Sequence, residues 1–361
     1  MTSSTMPAMV TNPRVGDLAN PIHAIFRRSN FGNVSDDEYD AMATTLRLAT
    51  RLLTTKEIAG FPHAILVAPY GHWRGPGYHE EWWFQEKLPK LTDQDMAEYE
   101  AALSTFADMV TFTAVTGENA GCGYCSMNWH LRAPRASRLQ AGSTIRFSRD
   151  DVTWTMDNRG TSSELASQKH SLITAKLLCH ELMHAMVHAR LGNLTNKPFD
   201  MPFGRQTVVE TGYEWEDYVF GGLLAGQRPD GTPNTAPQDF ENLNILHSEW
   251  PNATVTRQYV ANNYPIVIWQ EPPSIQVHWL IDPTKSHSWI PSLFTTHFWE
   301  NEVPTKGAGA VKAPKIRGFR YWVDAQGRAY KVAKPFTLPA YTIPVGYKED
   351  ALNGEVVSKT P

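Results

Sequence analysis

His180-Glu181-Leu182-Met183-His184 places two imidazoles four residues apart. On a helix they lie one turn apart on one face, so both can reach a single metal ion. Glu181, between them, is close enough to take a proton from a metal-activated water. Three fixed residues in five can occur by chance, so the surroundings decide. From Leu177 to Ala189 the chain reads L-L-C-H-E-L-M-H-A-M-V-H-A, and Glu181 is its one normally charged side chain apart from the histidines. A helix apolar nearly all round is buried. A carboxylate inside it is costly unless paired, protonated or near a metal. Thr161-Ser162-Ser163-Glu164 suits a capping box at the start, and Gly192 suits a stop after Leu191. The alternative is a core helix whose histidines only hydrogen-bond to neighbours; the context favours the metal.

A catalytic zinc usually takes three protein ligands and a water. His188 continues the spacing, but the helix rises about 12 Å from His180 to His188, too far for one ion. The longer pattern H-E-x-x-H-x-x-G-x-x-H is also broken, by Val187 and Arg190. His188 is therefore expected to pack beside the site, not to bind. Downstream, Val208–Asp217 gathers Glu210, Glu214, Glu216 and Asp217 among large apolar residues. On a helix, Glu210, Glu214 and Asp217 would share one face, and Tyr213, Glu216 and Phe220 another. A solvated acidic helix face is the competing interpretation.

With these residues the chain resembles the gluzincin branch of the zincin metallopeptidases, over about residues 143–222. The resemblance implies a Glu on a following helix as third ligand, with a carboxylate four residues on orienting a ligand histidine. Glu210 and Glu214 match that pattern. The segment is also similar to fungal H-E-x-x-H proteins with an E-x-G-x-x-x-E stretch ending in Phe-Gly-Gly, here Glu210 to Gly222, which points to Glu216 instead. Glu210 and Glu216 would lie about 240° apart on a helix, so both should not bind one ion. Glu210 is favoured, because Gly212 permits close backbone approach and Glu214 can back it. Glu214 and Glu216 stand as supporting or alternative ligands.

The 361 residues are 42% hydrophobic and 19% charged, enough for a large core. Net charge is −4 with no basic block, which argues against nucleic-acid binding. No apolar run approaches the ~18 residues of a membrane span. The Ser/Thr/Pro-rich start lacks the apolar region of a secretory signal, so a cytoplasmic protein is expected and the sequons at Asn33, Asn193 and Asn252 read as coincidence. Three cysteines make no disulfide framework. The lone Cys122-x-x-Cys125 reads as two ordinary thiols, and Cys179 as a core thiol.

The organisation expected is α+β and zincin-like: a mixed sheet packed on the buried metal helix, further helices, and an irregular C-terminal part. Residues 1–30 read as a flexible tail, 31–345 as one enlarged domain with its metal-site core at about 92–222, and 346–361 as a frayed tail. Helices are expected over 36–57 and from Thr92, capped with Asp95, to Val115. An irregular wrap follows the first, at 61–91. A strand at Thr144–Phe147 should belong to the sheet; the family plan includes an edge strand able to pair with an extended peptide. Residues 227–238 and 301–315 read as loops. Phe319–Val323 and Arg328–Val332 flank Asp324-Ala325-Gln326-Gly327 as a hairpin.

The expected function is a zinc-dependent metallohydrolase, a peptidase first, holding one Zn²⁺ by His180, His184 and Glu210 with Glu181 as general base. Its partner would be a peptide or small-molecule substrate, with no nucleic acid or membrane; oligomeric state stays open. Tyr213, His247 and His278 are nominees for stabilising the oxyanion. A non-heme iron enzyme of biosynthetic or oxidative type shares the donor set. A non-catalytic metal protein would not need Glu181.

Overall fold

The computed structural model describes residues 16–74, 80–84, 90–116, 123–128, 139–192, 208–227, 240, 244–248, 250–252, 255–257, 267–268, 275–281, 289–323, 329–332, 347–349 and 356–358. The chain is a mixed α and β protein. Its metal-motif helix lies between other helices and a three-stranded sheet.

The segment expected to be a flexible tail is packed from Leu18 onward. Leu18, Ile25 and Phe26 are buried, and Asn30 Nδ2 donates to the carbonyls of Ile25 and Ala107, each at 2.9 Å. Apolar anchors and satisfied amides offset the entropy that composition alone would leave free. The first helical stretch is two helices, α1 (Asp36–Ala41) and α2 (Ala43–Thr54), meeting at Met42. Ser35 and Glu38 form a capping box at α1. The expected irregular wrap contains α3 (Gly60–Leu66), every residue of it buried, and an antiparallel pair, β1 (Tyr70–Arg74) and β2 (Glu80–Phe84).

Helix α4 (Asp93–Ala107) starts at the expected Thr92–Asp95 capping box but ends eight residues before Val115. Val110–Val115 is instead strand β3, with residues alternately buried and half-buried. V-T-F-T-A-V has the period-2 pattern and β-branched content of a strand, and these outweigh continuation of the helix. Strands β4 (Tyr124–Asn128) and β5 (Gly142–Ser148) complete the sheet, in the order β3-β5-β4. The expected strand near Ile145 is thus the central one. It runs parallel to β3 and antiparallel to β4, which is an edge strand among the described residues.

After α5 (Arg149–Asp157) comes the 28-residue α6 (Glu164–Leu191). Its N-cap is Ser163, two residues beyond the expected Thr161, and Gly192 ends it by donating to His188 O at 2.8 Å. Cys179 Sγ faces Ala49 O of α2 at 3.6 Å, and Gln140 N–H, next to β5, donates to Ala189 O at 2.7 Å. The helix is therefore tied on both sides, which explains why its second half is buried all round. Among the described residues no helix is long and apolar enough to cross a membrane.

The remaining strands are β6 (Val208–Val209), β7 (Leu223–Gln227), β8 (Asn244–Ser248), β9 (Val267–Ile268), β10 (Ile275–Ile281), β11 (Lys315–Val323) and β12 (Ala329–Val332). Between β6 and β7, helix α7 (Thr211–Phe220) is stopped by Gly221 in the left-handed region, φ 75°. Strands β12-β11-β10-β8-β7 form an antiparallel sheet, so the C-terminal part is more regular than expected. The predicted hairpin is β11–β12, its turn lying outside the described residues. The expected loop at 301–315 holds helical turns at Val303–Lys306 and Ala308–Ala310. Residues 228–238 of the other expected loop, 227–238, lie outside the described set. At the end expected to fray, Tyr347–Glu349 pairs with Val356–Ser358.

Candidate metal centre

His180, Glu181 and His184 are 5–7% exposed, on the part of α6 that other elements enclose. Glu210, 4% exposed, is the N-cap of α7 and not a residue within it. Its Oε2 accepts from Tyr213 N–H, and the positive end of the helix favours the carboxylate there. Its Oε1 faces two imidazoles, 2.9 Å from His184 Nε2 and 3.3 Å from His180 Nε2. One potential ligand atom from each of His180, His184 and Glu210 lies within 4.8 Å of the other two, the spacing of a site that could hold a metal ion.

Two expectations about the acidic segment change. Glu210 lies outside the helix, so it does not share a helical face with Glu214 and Asp217, and the 240° argument against Glu210 and Glu216 does not apply. Both reach His180, at opposite nitrogens. Glu216, fully buried, accepts from His180 Nδ1 at 2.9 Å and from Lys176 Nζ at 3.1 Å on Oε1, and from Leu224 N–H at 3.2 Å on Oε2. It is therefore the carboxylate that orients the candidate ligand His180. Glu214, expected in that role, instead accepts from Trp250 Nε1 at 2.7 Å.

Sequence reasoning missed Lys176 and Trp250. Lys176 was findable, since it precedes His180 by four residues and shares its helix face. Nothing local to Trp250 marks its pairing with Glu214.

Close backbone approach at Gly212 holds as expected. A Cβ there would sit 2.4 Å from His180 Cδ2 and Nε2. Tyr213 packs edge-on to the same ring, centroids 4.7 Å apart, and Trp250 lies 5.1 Å beyond Tyr213. Of the three oxyanion nominees, Tyr213 borders the cluster. His247 packs against Gly222, and the His278 side chain lies outside the described residues. A second tight glycine is Gly123, just before β4, whose Cβ would sit 2.4 Å from Glu181 Oε1. The start of the edge strand therefore lies against the candidate base.

His188 stands apart, as the rise along α6 requires. Its Nδ1 lies 3.5 Å from Cys125 Sγ and 3.4 Å from Ser143 Oγ, which ties α6 to β4 and β5. Cys125 and Cys179 are buried, burial pushing the Cys179 pKa up, and Cys122 lies outside the described residues. The Asn33 amide bonds both backbone groups of Ala114, and Asn252 is buried; Asn193 lies outside the described residues.

Burial alone would lower the His180 pKa. The Glu210 charge and hydrogen bonds to Glu210 and Glu216 outweigh it and raise the value to about 9. Burial would likewise raise Glu210, but the two imidazoles hold it well below the usual carboxylate range. Without a metal, then, His180 carries a proton at neutral pH that any bound metal must displace.

The chain matches no protein-family model, no curated protein and no solved structure.

Proposed function

We propose that the chain is a zinc-dependent hydrolase of the zincin type, acting on peptides, with one Zn²⁺ held by His180, His184 and Glu210. The observation that carries this reading is the convergence of both Nε2 atoms on Glu210 Oε1, with Glu181 on the same turn of α6. The donor set suits the ion: two imidazoles and one carboxylate leave a position open. The ligands are also pre-aimed, because Glu216 accepts a hydrogen bond from His180 Nδ1, which leaves Nε2 as the nitrogen a metal would take in exchange for its proton. When bound, zinc supplies a Lewis acid and an activated water.

The protein's own residues do the rest. Glu181 accepts a proton and hands it to the leaving amine. Its carboxylate is placed by Gly123, where any larger residue would displace it. Tyr213, whose ring packs against His180, is the nominee this reading takes for stabilising the oxyanion.

The test is metal analysis of the purified chain, followed by cleavage of a peptide library by wild type and Glu181→Gln. Stoichiometric zinc in both, with turnover in wild type alone, is expected. Absence of metal in wild type, or equal turnover in the two, overturns the reading. Iron with substrate-dependent oxygen consumption would move the same donor set to an oxidative enzyme.

A further inference from the structure

Lys176 and Glu216 make a buried pair whose geometry reaches the metal ligands. The Lys176 side chain is 12% exposed and that of Glu216 0%. Together they clamp both backbone polar groups of one residue of β7: Glu216 Oε2 accepts from Leu224 N–H at 3.2 Å, and Lys176 Nζ donates to Leu224 O at 3.2 Å. Lys176 Nζ also donates to Glu216 Oε1, the oxygen that accepts from His180 Nδ1. The pair thus joins α6, α7 and β7 at the atom that sets the orientation of the His180 ring. Lys176, His180 and His184 follow one another at four-residue intervals on α6, so the clamp and the ligands share one face of a rigid element.

We propose that Lys176 is a positioning residue for the metal site: it holds the Glu216 carboxylate so that His180 keeps Nε2 directed at Glu210. This rests on the metal reading above and adds to it a residue that touches neither metal nor substrate. The fixed ring explains how the site can be formed before an ion arrives. Glu216 cannot turn away from His180 without giving up Lys176, Leu224 or both.

The sign of the effect separates positioning from charge. A lysine near a dication repels it, so one acting through charge alone would, on removal, tighten zinc binding. A lysine that orients a ligand would, on removal, weaken it, by about 10–100-fold for partners of ligand histidines. The experiment measures the Zn²⁺ dissociation constant of the full chain by chelator competition, and hydrogen exchange of the Leu224 amide in the metal-free protein. Lys176→Met should weaken Zn²⁺ by about 10–100-fold and speed Leu224 exchange. Lys176→Arg should recover most of both. In a Glu216→Gln background, Lys176→Met should add no further loss, because the two act through one carboxylate.

That double variant carries no stranded charge, so it keeps the test open where Lys176→Met alone fails to fold. Zinc binding unchanged or tightened in Lys176→Met overturns the proposal, as does a full added loss in the Glu216→Gln background. Wild type that binds no divalent metal overturns the metal reading and this inference together. Wild type that binds zinc beside an indifferent Lys176→Met overturns this inference only.

Discussion

Gly212→Ala is the most direct challenge to the site geometry. The new methyl would sit 2.4 Å from His180 Cδ2 and Nε2, where ordinary contact begins at 3.4 Å, a shortfall of 3.4 − 2.4 = 1.0 Å. The ring has little freedom to absorb it. Glu216 holds Nδ1 at 2.9 Å, and Tyr213 packs against the ring at 4.7 Å. Metal–ligand distances tolerate only about 0.2 Å. The metal-free protein can relax by letting the ring swing out, but zinc binding requires it back. The overpacking cost of about 1–3 kcal/mol therefore appears mainly as lost affinity. At ~1.4 kcal/mol per decade that is a factor of about 5 to 150. Chelator competition measures it, and Gly309→Ala is the control, since a Cβ there meets nothing within 4 Å. Equal zinc affinity in Gly212→Ala and Gly309→Ala would refute the close approach and with it the role given to His180 Nε2.

Gly123→Ala should keep its zinc and lose most turnover, because the methyl falls 2.4 Å from Glu181 Oε1; metal loss alongside activity would show that Glu181 is a ligand. Glu210→Ala should release zinc on dialysis. Glu216→Ala should bind it about 10–100-fold more weakly, and Glu214→Ala, which loses a bond to Trp250, should retain it best; emptying of the site by Glu216→Ala alone would exchange the two roles. The metal-free protein should lose stability as pH rises from 6.5 to about 9. His180 has its folded pKa raised, so its contribution is whole below 6.5 and gone above about 9, a change of up to ~3 kcal/mol. Glu210 has its folded pKa depressed, so its contribution is present above about 4.5 and lost as pH falls. Thermal unfolding in chelator should show the alkaline decline in wild type and not in His180→Gln; parallel curves would argue against the ion pair.

The helix that carries the H-E-x-x-H motif was legible because its signals are local. Spacing, an apolar surround and a terminal glycine all lie within one segment, and the helix ends within two residues of expectation. The cluster partners were legible in part, for a physical reason. Glu210 was nominated as a helical residue, yet it stands one position before the helix, where its side chain turns back to cap Tyr213 N–H. Glutamate is not among the favoured N-caps, so propensity pointed into the helix. The choice between Glu214 and Glu216 then depended on which helix face meets α6, and that is a tertiary fact. Val110–Val115 failed differently: an alternating segment continuing from a helix reads as more helix until its partner β5 is known.

The position of Glu210 also constrains what the site can be. One of its oxygens is committed to the start of α7, so the carboxylate can offer only Oε1 to an ion. With one nitrogen from each histidine, the described residues of this cluster would then supply three donors, the number that leaves a position for water in a catalytic site. A closed structural site would need a fourth protein ligand, and Glu216, which bonds His180, has both oxygens engaged by His180, Lys176 and Leu224. The capping bond and the Lys176 clamp thus have a common effect. Each occupies a carboxylate oxygen that could otherwise close an ion off.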